Sequence, residues 1–178
     1  GRAHLNADVG NIDFASIMPF IDDPESLMAI RGAGALSVDV DFDAASGKVA
    51  GGKFHIDMTG TDLRVDKDYF PVASSIMEVT WTPETGQFQL ADSELRIGQS
   101  STKLSGVFVL GMDKTYGPTV GISLTAKDVS LRPDDMEAAS APFEEMSFTG
   151  WSAPLYGALG IDQLAAKKGD GRVAVTGR

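Results

Sequence analysis

From Gly34 onward, apolar and polar residues alternate in one short segment after another. The first segment is Leu36–Phe42, LSVDVDF, and the series continues to Val173–Val175 near the C-terminus. A period of two is typical of a β-strand that buries one face. Gly, Pro, Asp and Ser residues separate the segments, so the sequence predicts a mainly β fold with an antiparallel sheet of about nine to eleven strands.

The alternating part of the chain also repeats. Residues 42–49, FDAASGKV, match residues 81–88, WTPETGQF: an aromatic residue, three turn residues, a hydroxyl residue, a glycine, and an apolar residue two places later. Similar tails follow, Thr61–Val65 in the first unit and Ser93–Ile97 in the second, and Lys127–Leu131 resembles a third, degraded copy. A repeated hairpin hides its apolar face on its neighbours, which predicts a stacked or extended sheet.

Three aspartates spaced two apart in Val38–Val49, VDVDFDAASGKV, also resemble the opening of a calcium-binding loop. Such a loop needs glycine at its sixth place and glutamate at its twelfth, where this chain has Ala44 and Ala50. The strand interpretation is therefore favoured, with Ala44–Gly47 as a turn in which Gly47 takes a positive φ.

Residues 11–30 form the one long stretch without alternation, and the spacing of their apolar residues suits a helix face. Pro19 and Pro24 would interrupt one long helix, so two short helices are predicted as a lead-in. The repeated-hairpin sheet is expected over residues 34–131, and a helical cap with closing strands over 132–178, all within one domain. The cap is predicted as a short amphipathic helix over the sheet edge, with a lid or membrane-touching loop as the alternative; its residues are Trp151, Leu155, Tyr156 and Leu159.

The formal charge of −10 repels phosphate backbones, and the basic residues are scattered, so no nucleic acid partner is expected. The chain has no cysteine, which excludes disulfides and zinc–thiolate sites within it. No apolar run approaches the roughly 18 residues of a membrane span. The chain looks like a segment of a longer protein, so a signal or anchor is expected outside it.

Catalytic signatures are weak. His4 lies in an N-terminus that we expect to be frayed, and His55 alternates with apolar neighbours on the polar side of a strand. Neither histidine has a nucleophile at a recognisable spacing. The carboxylates Asp62, Asp66 and Asp68 suit a solvated turn better than acid–base catalysis. The sequence thus predicts a protein that is not an enzyme, without catalytic residues, metal or cofactor.

Several segments together resemble the AsmA-like family of bacterial envelope proteins, in particular the middle region of its YhdP-like members. The resemblance covers most of the chain through loose motifs of glycine, aspartate and apolar positions. They are the lead-in DFASIMP (13–19), GALSV (34–38), PETG (83–86), LADSELRIG (90–98), LSGVF (104–108) and TGWSAPLYGALGID (149–162).

The resemblance implies a long, curved antiparallel sheet, shaped like a gutter, that binds or conducts phospholipid acyl chains between the inner and outer membranes. The chain would be one periplasmic segment of that gutter, adjoining neighbouring repeats, with the inner-membrane anchor outside it. The alternating residues that would line one sheet surface are the predicted lipid-contacting residues: Phe42, Phe54, Ile56, Met58, Trp81, Phe88, Leu90, Ile97, Phe108, Leu110, Ile122 and Leu124. The alternative is a structural or protein-interaction module in which these residues form a sealed core without a ligand.

Overall fold

The structure, a computed structural model, describes residues 1–13, 28–65, 68–130, 143–153 and 158–177. Twelve β-strands account for most of these residues, and the described ranges contain no helix. In chain order the strands are β1 (Arg2–Asp13), β2 (Met28–Arg31), β3 (Ala33–Asp43), β4 (Val49–Asp57), β5 (Asp62–Val65), β6 (Asp68–Thr82), β7 (Gln87–Ile97), β8 (Ser100–Asp113), β9 (Gly117–Ser130), β10 (Phe143–Ala153), β11 (Ala158–Lys168) and β12 (Gly171–Thr176).

The strands form one open sheet, and their order in space follows their order along the chain. The main path is β1-β3-β4-β6-β7-β8-β9-β10-β11-β12, while β2 pairs with β5 and β5 with β6 beside it. Every pairing is antiparallel. The prediction of a mainly β, extended antiparallel sheet is therefore confirmed, and β1 and β12 are the end strands of its main path.

The two repeat units form hairpins of the same kind. Gly47 and Gly86, which occupy matching places in the repeat, both take left-handed φ values, 67° and 63°. The aromatic residue before each turn pairs with the apolar residue after it, Phe42 with Val49 and Trp81 with Phe88. The Asp43 carboxylate accepts hydrogen bonds from the amides of the turn that it begins, so this segment is a strand and a turn, as predicted.

Single extra residues interrupt several ladders. The register shifts between Val9 and Ile12 in β1 and between Leu90 and Ser93 in β7. Asn11 and Asp128, the non-glycine residues with positive φ in the described ranges, lie at such irregularities. Asn and Asp tolerate this conformation better than other side chains. A bulge bends its strand and lets the alternation skip one residue, so apolar side chains on both sides of it face the same way.

The sheet buries few side chains. The accessible surface is 11,613 Å², about 40% more than the roughly 8,300 Å² expected for a compact monomer of this mass. Five hydrophobic residues of the described ranges are buried: Val72, Leu90, Val129, Ala153 and Ala165. The apolar content of the chain is therefore spread over a sheet surface.

The predicted flanking helices are wrong wherever the structure describes their residues. The two ends of the lead-in, residues 11–13 and 28–30, belong to β1 and β2, and the rest of 11–30 lies outside the described residues. In the predicted cap, Trp151 lies in β10 and Leu159 in β11, while Leu155 and Tyr156 lie outside the described residues.

The N-terminus is also not frayed as predicted. Arg2–Asp13 forms β1 and pairs with β3 along most of its length. Including β1, β2 and β11, the strand count of twelve exceeds the predicted range.

The two hairpin glycines should be sensitive to side chains. We expect Gly47→Ala and Gly86→Ala each to lower the free energy of unfolding by about 1–2 kcal/mol, because a left-handed backbone brings Cβ against the following carbonyl. Gly51→Ala is the matched control, since Gly51 lies in β4 without a positive φ and its Cβ would be 3.8 Å from the nearest atom. Urea unfolding of the three variants checks this, and equal losses in all three would contradict it.

Candidate functional site: an apolar sheet face

The pairing register places one apolar residue of every main strand in a single row across the sheet. Residues that pair directly across antiparallel strands share a face. The row, which we call the apolar band, runs from one edge to the other without a polar residue: Ala7, Val38, Phe54, Val79, Leu90, Gly106, Leu124, Phe148, Leu164 and Val175. At about 4.8 Å between strands, it is about 43 Å long.

A second apolar row lies beside the band on the same face. It is formed by residues two places along the first eight strands of the main path and three places along β11, across its bulge. It also lacks a polar side chain: Leu5, Val40, Gly52, Trp81, Phe88, Phe108, Ile122, Gly150 and Ile161. The two rows together are called the apolar face below. They turn the sheet into an amphipathic surface with one continuous apolar side.

The structure brings together most of the residues that the sequence suggested for lipid contact. Seven of them belong to the two rows, namely Phe54, Leu90, Leu124, Trp81, Phe88, Phe108 and Ile122. Phe42, Ile56 and Leu110 share the same face by the alternation of their strands, and Ile97 pairs with Val72 beyond the bulge in β7. Met58 follows β4 and lies outside the ladder; its amide donates to the Ser75 carbonyl.

Sequence reasoning missed both ends of this face. Leu5 and Ala7 in β1, and Ile161, Leu164 and Val175 near the C-terminus, extend it to the two edges. The alternation AHLNADV in residues 3–9 carried a signal for β1. In β11 the register shift places Ile161 and Leu164 on one face although they are three residues apart.

Aromatic rings converge near the middle of the apolar face. The Trp81 and Phe88 rings stack with centroids 5.8 Å apart, and the Phe54 and Phe88 centroids are 6.2 Å apart. Phe54 and Phe88 belong to β4 and β7, which β6 separates, so their backbones are about 9.6 Å apart and the rings lean towards each other. Gly52 lies against two of these rings: a Cβ there would be in van der Waals contact with Trp81 at 3.4 Å and with Phe54 at 3.5 Å.

The apolar face remains partly open. Leu90, near its centre, is only 2% exposed, but Leu5 at one edge is 54% exposed and Val175 at the other is 60% exposed. Between them, Phe54, Phe88 and most other members are half-buried. Single-layer packing against lateral neighbours thus covers the side chains only in part.

The opposite face is polar. The sequence neighbours of the apolar band residues form a row on this face, and Val107 is the one apolar residue in it. The other members are Asn6, Asp39, Lys53, Thr80, Gln89, Ser123, Thr149, Gln163 and Thr176. Trp151 lies on this polar face, where its ring is 5.3 Å from that of Tyr116 and covers Gly160. The two tryptophans of the chain therefore lie on opposite faces of the sheet.

His4 forms the best-defined polar cluster. Its Nδ1 is 3.1 Å from Asp41 Oδ1 and its Nε2 is 3.3 Å from Asp39 Oδ1. Asn6 Nδ2 donates to Asp39 Oδ1 at 2.7 Å. The hydrogen bond to Asp41 is the main cause that raises the pKa of His4 above its ordinary value, and the charges of both aspartates act in the same direction. This cluster links β1 to β3 at an exposed surface and contains no nucleophile.

The other titratable candidates are dispersed. His55 lies on the polar face with Nδ1 3.8 Å from Glu78 Oε1, and both side chains are largely exposed. Asp62 begins β5 and Asp68 begins β6, while Asp66 lies outside the described residues. In the part of the chain that the structure describes, no group of three His, Asp or Glu residues is arranged to hold a metal ion.

Comparison with models of protein families, with curated proteins and with solved structures finds no match to this chain. Across the described ranges, no helix has the length and apolar character needed to cross a membrane. Within the described residues, the protein is a single-layer antiparallel sheet with one apolar and one polar face.

The His4 cluster should make the attachment of β1 depend on pH. Because the folded pKa of His4 is raised, its contribution is complete below the ordinary value of 6.5 and is lost as the pH rises through the raised pKa. We expect amide hydrogen exchange in β1, corrected for intrinsic rates, to become faster across that interval. In His4→Asn this pH dependence should disappear, and an unchanged dependence in the variant would contradict the assignment.

Proposed function

We propose that this chain is a non-catalytic lipid-binding segment whose apolar face holds the acyl chains of phospholipid. The observation that supports the proposal is the apolar band, an unbroken row of ten strands' apolar residues that is left partly exposed. A soluble sheet of ordinary architecture covers such a face with a second layer. Exposed apolar surface of this extent is typical of a binding site.

The dimensions of the band suit acyl chains. The hydrocarbon core of a bilayer is about 30 Å thick, so one chain spans about 15 Å of it. A band of about 43 Å has room for more than one chain along its length. Each methylene that leaves water contributes about 0.8 kcal/mol, so a chain binds there without a charged contact. The absence of polar residues from the band would also let a chain move along it without meeting a specific anchor.

The cellular location that we propose for this lipid binding rests on the sequence resemblance. We infer a periplasmic segment of an AsmA-like envelope protein, which conducts phospholipid between the inner and outer membranes. The inner-membrane anchor and neighbouring repeats would be supplied by other parts of a longer chain. The extended sheet agrees with the gutter that the resemblance implies.

The two tryptophans provide a test of which face binds lipid. Trp151→Phe leaves Trp81 on the apolar face as the sole tryptophan, and Trp81→Phe leaves Trp151 on the polar face. With a phospholipid brominated on its acyl chains, we expect quenching of Trp81 fluorescence and little quenching of Trp151. Equal quenching of both, or none, would reject binding on the apolar face.

A charge placed in the band should remove lipid. We expect Phe54→Asp to lower the lipid that co-purifies, measured by native mass spectrometry and extraction, by roughly tenfold or more, because a carboxylate loses its hydration against an acyl chain. Thr80→Asp adds the same charge on the polar face of the neighbouring strand and should retain lipid. Circular dichroism of both variants checks that the sheet is intact. Equal retention by the two variants would count against the proposal.

A further inference from the structure

Along β8–β12 the apolar face has a third row of apolar residues. They lie two places from the apolar band, on the side away from the second row, and each pairs directly with the next: Leu104, Ala126, Met146, Ala166 and Val173. At about 3.3 Å per residue, the three rows together span about 13 Å along the strands. An acyl chain of about 15 Å therefore covers all three rows when it lies parallel to the strands.

The apolar face ends differently at the two ends of these strands. Beyond the second row it continues without a charged side chain, through Leu110, Val120, Ser152 and Leu159. Leu110 is 56% exposed there and Leu159 is 62% exposed. Two places beyond the third row, in contrast, β8–β11 carry polar or charged residues. We call them the polar margin: Thr102, Asp128, Glu144 and Lys168.

The polar margin borders a cavity of about 630 Å³. This volume falls within the roughly 300–1,000 Å³ of pockets that bind small molecules. The cavity adjoins the apolar face, because its residues Glu144 and Lys168 lie two places from Met146 and Ala166 of the third row. Its lining residues are Asp128, Phe143, Glu144, Lys168 and Gly169.

Both carboxylates of this cavity already have partners. Asp128 Oδ2 is 2.9 Å from Lys103 Nζ. Glu144 Oε2 is 3.2 Å from Lys167 Nζ, and Glu144 Oε1 accepts a hydrogen bond from the Gly169 amide at 3.1 Å. The hydrogen bonds from the two lysines are the main cause that lowers the pKa of each carboxyl group, so both groups are ionised at neutral pH.

Lys168 is the charge of this cavity that remains without compensation. Its side chain is exposed, and it has no ion-pair partner among the residues that the structure describes. Lysine binds phosphate as a point charge. A phosphate diester carries one negative charge, which is the charge needed to compensate Lys168.

We propose that the cavity at the polar margin holds the phosphate diester of a phospholipid, with Lys168 as its counter-ion and the acyl chains on the three apolar rows. This rests on the proposed lipid binding and adds the place of the headgroup and the direction of the chains. The charged end of the lipid then stays in water while the rows cover its chains. At the opposite ends of the strands, Leu110 and Leu159 offer a phosphate no counter-charge.

Two lipids that differ only in their headgroup test the contact. We expect Lys168→Ala to weaken equilibrium binding of a short-chain phosphatidylglycerol by roughly two- to fivefold at low ionic strength, the range of an exposed ion pair. Binding of the diacylglycerol with the same acyl chains should be unchanged. Lys168→Glu should weaken phosphatidylglycerol binding further, and Lys168→Arg should retain it.

Lys114→Ala is the matched control, because Lys114 lies in the turn between β8 and β9, at the opposite ends of the strands. It removes the same charge and should leave the affinity for both lipids unchanged. No loss in Lys168→Ala, or an equal loss in both variants, would overturn this proposal and leave lipid binding by the apolar face intact. If the wild-type protein binds neither lipid, the proposed function fails and this inference fails with it.

A photoreactive group on the headgroup of phosphatidylglycerol locates the phosphate directly. We expect cross-links to residues 143–145 and 167–170, and cross-links to the turn at 113–117 would overturn the proposal. Water-soluble glycerophosphoglycerol tests whether the acyl chains are needed. It should not compete at the concentration at which phosphatidylglycerol saturates the protein, and equal competition would assign the cavity to a free phosphodiester instead.

Discussion

The register of the strand pairing is the constraint on which every other property of this sheet depends. A slip of one residue in any ladder would move all apolar side chains of that strand to the polar face. The apolar band exists only because each of nine successive ladders sets an apolar residue of one strand opposite an apolar residue of the next, from Ala7 at one edge to Val175 at the other. We call this agreement between the ladders their common phase. With so few buried side chains, the phase is maintained by tight hairpins at Gly47 and Gly86 and by contacts within the sheet.

Bulges make this phase compatible with the curvature of a wide sheet. A flat sheet of this width is unusual, because strands twist and large open sheets bend. Each extra residue bends one strand and returns the following apolar residues to the same face. At Asn11 and Asp128, which lie at bulges, the chain has residue types that accept a left-handed backbone. The local sequence therefore specifies where these strands bend.

The parts of the fold with strict alternation could be predicted from sequence, and the parts with bulges could not. Phe42–Val49 and Trp81–Phe88 contain an aromatic residue, a glycine and an apolar residue at fixed spacing, and both form the predicted hairpins. The segment that contains Trp151, Leu155, Tyr156 and Leu159 is predicted as a helical cap partly because the spacing of Leu155 and Leu159 suits a helix. Trp151 and Leu159 instead lie in strands, and the bulge in β11 hides the alternation that would have indicated the strand of Leu159. For the apolar face, individual residues could be predicted, but its extent could not, because it depends on strand order and register.

The agreement between strand order and chain order also bears on how this protein is made. Apart from the pairing of β1 with β3, of β2 with β5 and of β4 with β6, each strand pairs with the one that is synthesised next. Contacts between sequence neighbours need little loop closure, so they form early and fast. A nascent chain can therefore add strands one hairpin at a time as it emerges, and each completed hairpin offers its outer edge to the next. At every stage of synthesis the growing sheet exposes an apolar face, which makes the unfinished protein prone to aggregation.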